Sequence, residues 1–186
     1  MRDERGLRWY AGVPIGTNPL ILTDIGTILV LLWGAAMLSV TLLQLILGGS
    51  VEGSHVQGAA VFATYLILFV GGAFLVIAFV LLQNRYVVLY RFDDEKAYCE
   101  SMKKGFRSMA ESLHWRPFPV EPPSGPTRST AKSVLWRDVE RVYPMADMRV
   151  ILLRRGRGTA MRVYCPDRAV YEKALHFIQE KVPQGR

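Results

Sequence analysis

The sequence predicts a membrane α-helical hairpin carrying an α+β cytoplasmic domain, and three observations lead there. Two long runs, Ile25 to Leu47 and Ala59 to Leu82, contain no Asp, Glu, Lys, Arg or His. Beyond Gln83 the chain holds 14 Arg and 6 Lys against 5 Asp and 7 Glu, a net +8 where the whole 186 residues carry +7. The same region alternates apolar with polar residues at the strand period and closes on an amphipathic helical stretch.

Each apolar run reaches roughly 34 to 36 Å at about 1.5 Å per helical residue, enough to cross a hydrocarbon core of about 30 Å. A segment in lipid satisfies its backbone only by closing its own hydrogen bonds as a helix. The two spans, 25–47 and 59–82, therefore form a hairpin over 25–82, joined by a Gly/Ser-rich loop. Arg2, Arg5 and Arg8 precede the first span, the loop has no Lys or Arg, and Arg85 and Arg91 follow the second. The positive-inside tendency then places both termini in the cytoplasm. The first run starts too late and runs too long for a signal-peptide core, and a second span follows it.

Residues 1–24 are expected to form a cytoplasmic or interfacial lead-in. Trp9-Tyr10 suits the headgroup level, where a ring is half buried and its polar atom stays wet. Asn18-Pro19 and Thr23-Asp24 are two candidate starts for the first helix, with Asp24 read as a cap at its positive end. Within the spans, Ala35 with Ser39 and Gly71 with Gly72 are the candidate helix-packing residues, since small side chains let backbones approach in lipid. No ionisable group lies inside either span, so an ion path through this chain alone is not expected.

Residues 83–186 are expected to be one cytoplasmic domain. Tyr86 to Phe92 and Ala97 to Met102 read as strands around the acidic turn Asp93-Asp94-Glu95. From about 103 to 132 five prolines and a Ser-Gly pair mark a flexible insert, with a short helix expected within Phe106 to Leu113. Ser133 to Val142 reads as a further ordered stretch. Arg149 to Leu153 and Thr159 to Cys165 flank Arg154-Arg155-Gly156-Arg157-Gly158, a hairpin whose glycines supply the positive φ of a tight connection. A terminal helix starts at Pro166-Asp167, places Val170, Ala174, Phe177, Ile178 and Val182 near one stripe, and ends at Pro183.

This order of elements, with Trp136-Arg137-Asp138-Val139-Glu140-Arg141-Val142 before the basic hairpin, resembles the bacterial pleckstrin-homology-like (PH-like) domains attached to membrane helices. The resemblance covers roughly Tyr86 to Val182. It implies a bent β-sandwich or barrel closed by the C-terminal amphipathic helix, with Phe177 and Ile178 in the core. It also implies a binding or scaffolding module of the inner membrane, without catalytic residues. The Pro-rich insert departs from the family pattern.

Nothing in the sequence points to catalysis. Cys99 and Cys165 form no C-x-x-C pair and read as small core residues. His55, His114 and His176 have no metal-ligand spacing, and neither a P-loop nor a G-x-S-x-G nor an H-E-x-x-H motif is present. No enzyme activity, metal or cofactor is expected. The acidic first turn repels phosphate and disfavours inositide recognition. Arg149, Arg154, Arg155, Arg157 and Arg162 fall within fourteen residues that include no acid. They are the candidate contact for anionic lipid or an acidic partner, worth roughly 1 kcal/mol per charge near anionic lipid.

The expected partners are the bilayer and a protein partner or a second copy of the chain. Nucleic acid is not expected, because the tail holds no basic-aromatic motif. A scaffold or adaptor is the leading functional reading. The alternative is an accessory subunit of a transporter or respiratory complex that packs through its hairpin.

Overall fold

The computed structural model describes residues 6–50, 52–102, 115–120 and 130–182. The chain divides into two compact units, residues 19–82 and the combination of 1–18 with 83–186.

The first unit is the hairpin. Helix α1 (Pro19–Gly48) and helix α2 (Gly53–Val76, continued by a π-helical turn over Ile77–Leu81) are each long and apolar enough to cross a membrane. Helix α1 begins with proline at its first position, where the missing N–H costs no intrahelical bond. Asp24 therefore lies inside the helix and is not its cap. The connection is also shorter than the composition suggests: Gly49, at φ 70°, ends α1, and His55 and Gln57 already belong to α2. The Glu52 N–H donates to His55 Nδ1 at 3.3 Å, which replaces an intrahelical partner at the start of α2. Where the helices meet, Ala59 and Ala63 are fully buried and Trp33 Nε1 donates to Thr64 Oγ1 at 3.3 Å.

The second unit is a sandwich of two antiparallel sheets with a terminal helix. Sheet one has the order β4-β1-β2-β3-β5, from β1 (Leu7–Val13), β2 (Tyr86–Phe92), β3 (Lys96–Met102), β4 (Phe118–Pro119) and β5 (Thr130–Leu135). Sheet two is β6 (Arg141–Met145), β7 (Val150–Arg155) and β8 (Gly158–Tyr164) in order. Among the described residues the strands form two separate sheets and no closed barrel. Helix α3 (Arg168–Lys181) starts on Asp167, whose side chain accepts from the Val170 N–H at 2.8 Å.

The N-terminal segment differs most from expectation. Residues 7–13 are not an interfacial lead-in but strand β1, paired along its whole length with β2 from Leu7 opposite Phe92 to Val13 opposite Tyr86. The reason lies in the side chains. Trp9, Ala11 and Val13 alternate onto the inner face and are buried. Trp9 stacks on Tyr90 at 5.3 Å, meets Phe92 edge-on at 4.9 Å, and donates through Nε1 to the Tyr164 carbonyl at 3.0 Å. Tyr90 Oη donates in the same way to the Arg162 carbonyl at 2.8 Å. Two aromatic side chains of sheet one thus satisfy carbonyls of β8, doing at this edge what a ladder would do in a closed barrel.

The hairpin is consequently an insertion between two paired strands. Where the strands end, Asn84 is fully buried and bridges them: its Oδ1 accepts from the Gly16 N–H at 2.5 Å and its Nδ2 donates to Thr17 Oγ1 at 2.8 Å. Gln83 and Asn84 both adopt left-handed backbone, at φ 50° and 53°, which turns the chain into β2.

The expected insert over 103–132 is also partly strand. Phe118 pairs opposite Gly12, and β5 takes Thr130 to Lys132. Gly12 admits this because a Cβ there would sit 2.4 Å from the Phe118 ring. The helix expected within Phe106 to Leu113 lies outside the described residues.

Ser133 to Val142 is not one extended stretch but β5, a 3-10 turn over Trp136–Asp138 and the start of β6. Trp136 makes the corner, donating through Nε1 to the Asp93 carbonyl at 2.8 Å and packing edge-on against Phe92 at 5.2 Å. Half-buried Phe177 joins that cluster and Ile178 is fully buried. Its buried stripe is Tyr171, Ala174 and Ile178, with Val170 only half buried.

Candidate functional site: the basic face of the three-stranded sheet

Strand pairing decides which arginines share a face. Tyr143 lies opposite Leu152, Leu152 opposite Arg162, and Arg141 opposite Arg154. Directly opposed residues project to the same side, with Cβ atoms about 5 Å apart. Arg141, Tyr143, Leu152, Arg154 and Arg162 therefore lie on the outer face of β6, β7 and β8. The inner face carries Ile151, Leu153, Met161 and Val163, all buried. No acidic residue occurs within these three strands.

The centre of the face is a phenol between two guanidinium groups. The interaction with Arg141 first, and with Arg154, holds the pKa of the exposed Tyr143 hydroxyl below the ordinary tyrosine value despite some desolvation. The Arg154 guanidinium lies 5.6 Å from the ring centroid, and its Nη2 donates to the Arg157 carbonyl at 3.0 Å. Its Nε is buried and has no acceptor. Two like charges directly opposed across a strand pair repel.

The five arginines expected to act together divide among several places. Arg154 and Arg162 are on the face just described. Arg155 pairs with Asp138 at 3.3 Å, on a 67% exposed side chain where such a pair contributes little. Arg157 is exposed in the turn with Gly156, whose φ of 57° confirms the tight connection. Arg149 is elsewhere. It adopts left-handed backbone before β7, donates to the Pro166 carbonyl at 2.9 Å, and lines a cleft of about 350 Å³ with Arg116, Asp147, Arg168, Tyr171 and Glu172. Arg141 and Tyr143 escaped the sequence reading. Their signal was the i, i+2 spacing on a strand, but only the register against β7 reveals its use.

The acidic first turn is committed to local structure. Asp93 Oδ1 accepts from the N–H groups of Glu95 and Lys96, and Asp94 pairs with Lys181 at 2.7 Å. Among the candidate helix-packing residues, Gly71 faces α1, with Leu29 3.8 Å from where its Cβ would be. Ala35, Ser39 and Gly72 are exposed on the hairpin. Among the described residues no group of His, Cys, Asp or Glu has the arrangement of a metal site. Burial pushes the Cys165 thiol up to about 12, with Asp167 adding to the effect, and burial also raises Cys99. Neither favours the thiolate a nucleophile needs.

Comparison with protein families, with curated proteins and with solved structures gives no match to this chain.

Proposed function

We propose that this protein is a non-enzymatic adaptor of the bacterial inner membrane, with its PH-like domain on the cytoplasmic side. The domain binds a protein partner, with anionic lipid as a secondary contact. The observation that carries the reading is the acid-free face built from Arg141, Tyr143, Arg154 and Arg162, on a domain whose β1 and β2 lead into a hairpin of two helices long and apolar enough to cross a membrane. Such a face attracts acidic surfaces and discriminates against basic ones. Both termini on the cytoplasmic side follow from the absence of Lys and Arg in the connection and their excess beyond α2.

Co-purification of the full chain from membranes in mild detergent tests the proposal. A stoichiometric protein partner that is lost when Arg141, Arg154 and Arg162 are changed to Glu supports it. Recovery of the chain alone, without partner or self-association, contradicts it. The exposed position of Gly72 on the hairpin is the observation favouring the accessory-subunit alternative. Under that reading Gly72→Leu abolishes assembly, and under the adaptor reading it does not.

A further inference from the structure

The outer face of sheet one carries a second cationic array, on different strands from the first. Arg8 on β1 lies directly opposite Arg91 on β2, and Arg91 opposite Tyr98 on β3. Lys96 and Tyr10 share this face by the i, i+2 rule. Each cation lies against a tyrosine. Arg8 is 5.7 Å from the Tyr10 centroid and donates through Nη2 to its hydroxyl at 2.9 Å. Arg91 is 4.4 Å and Lys96 4.9 Å from the Tyr98 centroid. The hydrogen bond to Tyr98 raises the Lys96 pKa, so its ammonium stays charged. Glu100, one cross-strand row away, lies opposite Leu89 rather than an arginine, and Asp93 and Glu95 also act on the charge of Lys96.

Directly opposed arginines are unfavourable in an isolated fold. The tyrosine rings orient the two guanidinium groups; Arg8 spends one Nη2 hydrogen on the Tyr10 hydroxyl and keeps its other donors, and a guanidinium fork receives a carboxylate by two parallel bonds. We infer that this array docks an acidic segment of a partner protein laid across β1, β2 and β3, its carboxylates taken by Arg8 and Arg91 and a further one by Lys96. An extended segment offers alternate side chains on one side about 6.6 Å apart, against about 5 Å between opposed cross-strand positions, a difference that long arginine side chains can span. Single-stranded nucleic acid is disfavoured because the tyrosine rings that would stack bases are already covered by cations.

The test uses the full chain in neutral detergent micelles and a fluorescein-labelled Glu-Ser repeat peptide, followed by anisotropy. Arg8→Gln with Arg91→Gln is expected to weaken saturable binding about tenfold or more, since each removes a charge-assisted bidentate contact. Arg8→Lys with Arg91→Lys keeps the charge but loses the planar fork, and is expected to weaken it about threefold or more. Arg141→Gln with Arg154→Gln, on the other sheet, is expected to leave it within about twofold. Near-ultraviolet circular dichroism verifies that each variant is folded. Wild-type affinity in the lysine pair reduces the array to unspecific charge and overturns the inference. So does loss of binding in the Arg141 and Arg154 pair alone, which instead assigns the acidic partner to the face of the proposed function. Tighter Arg8- and Arg91-dependent binding of oligothymidylate, or of phosphatidylglycerol bicelles, also overturns it by naming a different occupant.

Discussion

Replacing Trp9 by Ala tests whether the segment before the hairpin belongs to the folded domain. The side chain is only 7% exposed, touches two aromatic rings, and donates the bond that satisfies the Tyr164 carbonyl. Truncating a buried Trp costs about 3 to 5 kcal/mol in lost transfer energy and residual cavity. Losing the bond to the Tyr164 carbonyl adds about 1 kcal/mol. Trp9→Phe keeps the ring contacts and loses the bond, so its cost is confined to about 1 to 3 kcal/mol. At about 4 °C or more per kcal/mol for a domain of this size, Ala, at about 4 to 6 kcal/mol, lowers the Tm by upwards of about 16 °C, and Phe by upwards of about 4 °C. The assay is thermal unfolding of the full chain in detergent, followed by near-ultraviolet circular dichroism. A parallel measurement reconstitutes wild type and Trp9→Phe in brominated lipid. The fluorescence that the substitution removes is expected to be unquenched. A Tm shift within about 1 °C for Ala, with Trp9 emission quenched by bromine, refutes the strand assignment and restores a headgroup anchor.

Three further outcomes follow from the same packing. Asn84→Ala removes the bridge between the two chain segments and leaves the Gly16 N–H without its side-chain acceptor, a loss of about 1 to 3 kcal/mol readable as a lower Tm. Gly12→Ala drives a methyl into the Phe118 ring and costs about 1 to 3 kcal/mol, and adding Phe118→Ala recovers most of this in a double-mutant cycle. The Cys165 thiol keeps its proton up to about 12 in the fold but releases it near 9 when unfolded. Its contribution is complete below the lower value and is lost as pH rises toward the higher one. Denaturant titrations at rising pH are therefore expected to show a steeper alkaline loss for wild type than for Cys165→Ala.

What was legible in the sequence follows the locality of the signal. The hairpin is written in the absence of charge over two runs, and the acidic turn, the basic hairpin and the capped α3 are each set within a few residues. Strand β1 was not legible for a physical reason. A Trp-Tyr pair before a membrane span suits both a headgroup layer and a sheet interior, and the partner that decides between them, Tyr90, lies beyond the hairpin. The alternation of buried Trp9, Ala11 and Val13 with Arg8 and Tyr10 was present but spans one short strand. Phe118 and Pro119 were hidden in a proline-rich stretch, because their place depends on the missing Cβ of Gly12. The basic cluster was visible as composition and mistaken as geometry. Arg149 and Arg155 are engaged elsewhere, while Arg141 and Tyr143 join the face through register alone.

The central claim is that a membrane hairpin is inserted into a domain built from both sides of it. Joining residues 6–18 to 83–186 through a short Gly/Ser linker tests this directly, since the two segments already pair as β1 and β2. The account predicts a soluble, folded protein with a cooperative unfolding transition, while the full chain stays in the membrane pellet after alkaline carbonate extraction. The segment 83–186 alone, lacking β1, is predicted to be unfolded or aggregated. A hairpin-free version that fails to fold, a fully folded 83–186, or release of the full chain by carbonate contradicts it.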